Sequence, residues 1–251
     1  MPSTWKSRLL AAGLHLLLSL LVASIVFAVV YWVWFPQPFF DLARGKQLFL
    51  LVAGCDVVLG PLLTLVIFDV RKPRAELGRD LALIACIQLA ALLYGTHAMY
   101  ASRPVYIAYN TGQFNVAQAG TIDDEAYRKL PRDLPRNPLL GPVLIGAVQP
   151  EDPERRNEIM FGVVEGGPDI HQIPELFVPY SSVREEVAER ALDAEGFART
   201  HGGDLAALRA IIDRHGPDAG LLPVVLHGSY AIAVIQRASG EVLAFEPAPG
   251  R

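Results

Sequence analysis

The sequence predicts a membrane protein: three transmembrane α-helices followed by an α+β domain with a largely antiparallel sheet. Three observations point there. The chain is 52% hydrophobic with a mean hydropathy of +0.31, and the apolar excess lies in the first hundred residues. Three runs in that part, 9–35, 47–68 and 81–101, are each about 20 residues or longer, enough for a helix to cross roughly 30 Å of hydrocarbon. The charge also changes sign along the chain. Residues 1–102 carry eight bases and five acids, and residues 103–251 carry 14 bases and 21 acids, which leaves the whole at −4.

The first apolar run is longer than the h-region of a signal peptide, typically about 7–15 residues. It ends in Tyr31, Trp32, Trp34 and Phe35, side chains suited to the headgroup level. No small-x-small cleavage pattern follows, so an uncleaved anchor is expected. Orientation follows from Lys and Arg near the span ends. Lys6, Arg8, Arg71, Lys72, Arg74 and Arg79 share one side, against Arg44, Lys46 and Arg103 on the other. The N-terminus is therefore expected in the cytoplasm. Three crossings then put residues 103–251 outside it, in the periplasm of a Gram-negative inner membrane. The run Arg71-Lys72-Pro73-Arg74 reads as a topology determinant, with anionic lipid as a further contact.

The outer domain is acidic, which argues against nucleic acid. Both cysteines, Cys55 and Cys86, fall in the spans, so the domain is held by its own core without disulfides or a thiolate metal site. Val105, Ile107 and Tyr109 alternate like a strand, and Asn110-Thr111-Gly112 turns into a second. Residues 123–130 read as a short helix. A link with Pro131, Pro135, Pro138 and Pro142 leads to a buried strand at 143–148. A helix should start at Pro153 with Asp152 as its N-cap and end at Gly166-Gly167. Next come an extended piece in IPELFVPY and a helix capped by Ser181 or Ser182. A further helix has the stripe Leu205, Leu208, Ile211 and Ile212, stopped by Gly216-Pro217. Three strands close the chain, joined at His227-Gly228-Ser229 and at Ala238-Ser239-Gly240.

One residue contradicts the apolar spans. Asp56 lies near the middle of the second, four residues before Gly60-Pro61. A charged side chain there costs about 2.5–3.5 kcal/mol on insertion scales, so a protonated acid or a partner within the bundle is required. At 1.5 Å per residue, Asp56 lies about 14 Å below the outer end, Ser24 about 15 Å, Gln88 about 20 Å, Tyr94 about 10 Å and His15 about 28 Å. Ser24, Tyr94 or Gln88 are the expected contacts, and His15 is a poor one. In one reading Asp56 is polar glue for the bundle, Gly60 a packing notch and Pro61 a kink. A proton pathway would need a relay of ionisable groups, and the spans hold one acid. His97, beside Thr96 near the outer end of the third span, is a further candidate contact.

Catalytic signatures are missing from the sequence. His171, His201, His215 and His227 have no metal-ligand spacing with one another, no phosphate loop or GxSxG elbow is present, and the His227-Ser229 pair sits where a hairpin turn belongs. No cofactor or metal is expected, and no enzyme activity. The alternative is a membrane-anchored enzyme or signalling protein whose outer domain binds a small molecule, which would need a deep pocket with convergent polar groups.

The segments YWVWFPQPFFDLARGKQLFLLVAGCDVVLGPLLTLVIFD, LYGTHAMYASRPVYIAY, IPELFVPY and LPVVLHGSYAIAVIQRASGEVLAF, following a short basic N-terminus, resemble the type IV pilin accessory proteins of the TfpX/TfpZ group over nearly the whole chain. The resemblance implies an inner-membrane, non-enzymatic protein that supports assembly or surface display of one cognate major pilin, with twitching motility depending on it. In that light Asp56 with Gly60 and Pro61 becomes a candidate groove for the pilin's own N-terminal helix. LPVVLHGSYAIAVIQR and IPELFVPY become candidate contacts by strand addition.

Overall fold

The computed structural model describes residues 4–43 and 45–249; Arg44, one of the charges counted for orientation, lies outside them. The described residues pack as two units. One runs through Val33 and resumes after the first connection as far as Tyr100. The other takes Trp34–Ala43 together with the chain from Ala101 on.

The helical unit holds three helices long and apolar enough to cross a membrane, Trp5–Trp34, Gly45–Ile67 and Arg74–Ser102. The first is α1 (Thr4–Val29), continued by a π-helical turn at Val30–Trp34. A four-residue helix α2 (Phe39–Leu42) lies in the connection. The second long helix is α3 (Gly45–Gly54), a π turn at Cys55–Leu59, and α4 (Gly60–Ile67). The third is α5 (Arg74–Ser102). The first and third start several residues before their apolar runs, because Lys6, Arg8, Arg74 and Arg79 are good helix formers that can extend a helix beyond the hydrocarbon. Pro36 ends the first, since the residue before a proline is pushed out of the α region. A side chain on Gly95 of α5 would put its Cβ 2.4 Å from Val52 Cγ2, so the glycine is the recess that lets α3 and α5 meet.

The second unit is built on one seven-stranded sheet, ordered β4-β3-β1-β2-β5-β6-β7. Its strands are β1 (Pro104–Asn110), β2 (Gln113–Gln118), β3 (Val143–Ala147), β4 (Phe177–Pro179), β5 (Ala219–Leu226), β6 (Ser229–Gln236) and β7 (Glu241–Pro247). The two tight hairpins form where the turn residues predict. Thr111 and Gly112 have φ of 49° and 85°, and His227 and Gly228 have 47° and 77°, the pattern of a two-residue turn that follows strand twist.

The sheet is mixed, which corrects the largely antiparallel expectation. β1 runs parallel to β3 and β2 parallel to β5. Alternating residues reveal strands and short turns reveal hairpins, but the direction of two strands joined by long crossovers is set by the route of the crossover. Two helical expectations also change. The 123–130 segment is only a 3-10 turn at Ala126–Lys129, cut short by Pro131. Ser181 and Ser182 lie in another such turn (Tyr180–Ser182) and cap nothing. α7 (Arg184–Arg190) starts after Val183 with no side-chain cap. α6 (Pro153–Val164) does begin as expected, Asp152 accepting from the Glu154 N–H at 3.0 Å. α8 (Ala194–His201) and α9 (Leu205–His215) are capped by Asp193 and Asp204.

Two apolar clusters cover the sheet. Val105, Tyr106, Ile145 and Phe177 pack with Tyr127 at the β1–β3 end. Phe197, Leu208 and Ile211 of α8 and α9 pack on Leu221, Ile232 and Val234. An aromatic chain joins further parts: Tyr109 to Phe114 (5.4 Å between ring centres), Phe114 to Phe245 (6.2 Å), and Phe245 to Phe39 of α2 (5.2 Å). Phe39 is buried, as are Phe35 and Phe40. The connection between the first two long helices is thus part of the sheet unit's core.

Replacing Gly95 with valine should destabilise the helical unit by about 1–3 kcal/mol through overpacking. Unfolding of the detergent-solubilised protein would measure it, and an unchanged midpoint would show that Val52 moves aside freely. On the sheet unit, Glu175 accepts from Lys129 (2.8 Å) and Arg155 (3.0 Å). These two cations, Lys129 foremost, hold its carboxyl below the usual range. Its stabilisation is present above the unfolded-chain pKa of about 4.3 and is lost as pH falls through the lower folded value. Glu175→Gln should flatten that acid limb of the thermal stability curve.

Candidate functional site in the helical unit

Asp56 occupies the π turn at Cys55–Leu59 and is buried, with 7% of its surface exposed. In an α-helix each N–H bonds the carbonyl four residues back, and in a π turn five. The Gly60 N–H belongs to Cys55 in the π register, and the N–H that would follow onto the Asp56 carbonyl is that of residue 61. Residue 61 is proline and has none. Gln88 of α5 fills the gap: its Nε2 donates to the Asp56 carbonyl oxygen at 3.2 Å. Gly60 makes the space, since a Cβ there would lie 2.1 Å from Gln88 Nε2. Proline, glycine and glutamine thus form one device, in which a carbonyl is freed, a recess is opened and a side-chain donor from the neighbouring helix enters it.

Asp56, Gly60 and Thr64, spaced four residues apart, share one buried face. Thr64 Oγ1 lies 2.6 Å from His15 Nδ1 of α1. His15, Ser19, Asp56 and Gln88 line a common cavity of about 260 Å³, with Leu18, Val22, Ala85, Leu89 and Leu92 completing it. The Asp56 carboxyl oxygen Oδ1 is buried and has no hydrogen-bond partner among the described residues.

Among the residues singled out from the sequence, Gly60, Pro61, Asp56 and Gln88 come together. Ser24 does not join them. Its hydroxyl donates to the Leu20 carbonyl at 2.7 Å, and it lines a separate apolar cavity with Phe27, Phe49 and Val57. Tyr94 is 79% exposed, on the outer surface of α5, and His97 is exposed as well. Equal depth did not decide contact, because rotation about each helix axis did. His15, set aside on depth, instead lines the Asp56 cavity. Ser19 and Thr64 were missed, although Ser19 stands four residues from His15, and Thr64 eight from Asp56, the spacing of one helix face.

In the sheet unit, β5 and β6 lie inside the sheet, and β4 and β7 are its edges. The segment LPVVLHGSYAIAVIQR therefore offers no free edge. His227 sits in a turn, and among the described residues no three His, Cys, Asp or Glu side chains gather to hold a metal. Burial pushes the Tyr180 hydroxyl up to about 12, where it donates to the Gly240 carbonyl at 2.6 Å as a structural tie.

Comparison with known proteins bears on the whole chain. Residues 3–44 match the family model described as fimbrial assembly protein FimB. Over 241 residues, 92% of either chain, the sequence is 31% identical to the fimbrial assembly protein of serogroup E1 from Dichelobacter nodosus. It is 35% identical over 193 residues, 74% of either chain, to the serogroup I protein of the same organism. No solved structure matches.

Gln88→Leu should cost on the order of 1–2 kcal/mol by leaving the Asp56 carbonyl unpaired. Pro61→Ala restores an N–H at that position, so the same Gln88→Leu change should cost clearly less in its presence. A double-mutant cycle on unfolding of the purified protein measures the coupling, and a coupling near zero would sink the assignment of Gln88 to Pro61's missing donor.

Proposed function

The chain belongs to the fimbrial assembly protein family, and on that premise we propose that it is a non-catalytic inner-membrane factor that binds a cognate type IV major pilin. In this reading it supports pilus assembly, surface display and twitching motility, as the TfpX/TfpZ-like segments imply. The observation that carries the reading is the match over 92% of both chains. It spans the helical unit and the sheet unit alike, so both are shared with a protein named for fimbrial assembly.

The fold supports the topology this role needs. Phe39, in the connection after the first long helix, packs on Phe245 near the end of the chain. The second and third long helices lie between these two residues. A contact between them requires an even number of membrane crossings in the interval, which agrees with each of the two helices crossing once. The positive-inside bias then supports a cytoplasmic N-terminus and a periplasmic sheet unit. A pilin stored in the membrane before assembly, with one embedded helix and an exported head, has its two parts in the same two layers.

The reading is tested by photo-crosslinking in cells that make the neighbouring major pilin. Probes go at exposed apolar positions of both units: Leu21, Leu62, Leu93, Phe161 and Leu243. Pilin adducts are expected from at least one helical position, with loss of surface pili when the gene is deleted. Pili that still require the protein, with no pilin adduct at any position, would exclude direct binding.

A further inference from the structure

The cavity at Asp56 is not explained by packing of the three helices. Gln88 donates to the backbone carbonyl and also lies against the Asp56 side chain, and His15 is held by Thr64, yet the buried carboxyl oxygen Oδ1 of Asp56 has no hydrogen-bond partner among the described residues. Three further observations say where a donor can come from. Asp56 lies eleven residues from Gly45 and eleven from Ile67, at about 16 Å from either end of its helix. Its cavity of about 260 Å³ is walled by His15 and Ser19 of α1 and by Gln88 of α5. The rim is formed by Leu18 and Leu89, which are 59% and 57% exposed on the outer surface of the bundle. The cleft therefore opens sideways between α1 and α5, toward the acyl chains and away from both aqueous faces.

Acyl chains have no hydrogen-bond donor, and a buried acceptor without a donor is strongly disfavoured. The donor that reaches this cleft comes from within the membrane. We infer that the cleft between α1 and α5 receives a transmembrane helix of the pilin subunit, which places a hydrogen-bond-donating side chain on Asp56 Oδ1 at mid-membrane depth. This rests on the reading of the protein as a pilin-binding factor and specifies its contact. It also moves the contact away from Gly60 and Pro61, whose recess is filled by Gln88. The larger cavity of about 790 Å³ between α1 and α3 is lined by apolar and small side chains that acyl chains satisfy equally well, so it marks no such partner. Ser19, at 7% exposure on the cleft wall, and His15 offer the incoming side chain a second polar contact, which favours a hydroxyl, amide or ammonium over a simple apolar residue.

The test places photo-crosslinking probes at Leu18 and Leu89 in the full-length protein in cells, with adducts detected by an antibody to the major pilin. Pilin adducts are expected from both rim positions. Asp56→Leu should lower their yield about tenfold, the scale of one lost hydrogen bond to a buried carboxyl. Asp56→Asn, which keeps the size and an acceptor oxygen, should retain most of the yield. Ala85→Trp gives a second route that leaves Asp56 in place. Ala85 is exposed and lines the cleft, so the indole should block entry and abolish the rim adducts. Rim adducts unchanged in Asp56→Leu and in Ala85→Trp would overturn the inference. So would adducts only between two copies of this chain, or pilin adducts at other positions with none at the rim; this last result leaves pilin binding intact and removes only the cleft. Absence of pilin adducts at every position tested would remove the pilin reading itself.

Discussion

Pro61 leaves a backbone carbonyl without a partner in its own helix, and in a helix apolar enough to cross a membrane no water would be at hand to satisfy it. The arrangement of the helical unit follows from answering that requirement. A donor has to come from a neighbour, so Gln88 of α5 is drawn to the Asp56 carbonyl. The donor needs space, so residue 60 has no side chain. Asp56, in the π turn that precedes the proline, shares a buried face with Gly60 and Thr64 at four-residue spacing. Gly95 repeats the logic of close approach one contact further along, where Val52 enters. The three helices are thus registered by a few polar and small residues, because burial against apolar lipid gives little preference for one rotation over another.

A second constraint acts in the sheet unit. The connection between the first two long helices is short and rich in proline and phenylalanine. Phe39 joins a line of rings through Phe245 and Phe114 to Tyr109. Residues distant in sequence are thereby tied into one core, and the chain on either side of the second and third helices is fixed to the same body. The family model also runs through this connection, covering residues 3–44. An aromatic cluster next to a long apolar helix invites the reading of a headgroup belt, and Trp32 is exposed. Phe35, Phe39 and Phe40 differ because they are buried.

Much of the fold was legible in the amino-acid order because the signals are local. Long apolar runs mark the three helices, and Asp152 before Pro153 marks the start of α6. Thr111-Gly112 and His227-Gly228 mark hairpins because their backbone has to reach positive φ. The candidate site was legible in part for the same reason: an acid followed by glycine and proline in an apolar run is anomalous wherever it folds. Gln88 came within reach through depth alone, whereas Ser24 and Tyr94, at depths just as suitable, face elsewhere.

The sequence by itself determined that Asp56 needed either a proton or a partner inside the bundle, that Pro61 would disturb its helix, and that two different units follow one another along the chain. Only the tertiary structure decided which side chains answered. It turned Gln88 and His15 toward the Asp56 cavity, left Tyr94 outside and left Oδ1 without a hydrogen-bond partner among the described residues. It also set β1 parallel to β3 and β2 parallel to β5, and folded Phe39 into the sheet unit. The physical reason is common to all of these. Depth, alternation and turn type are properties of neighbouring residues, whereas helix rotation and strand direction are set by contacts between segments that the chain order leaves free.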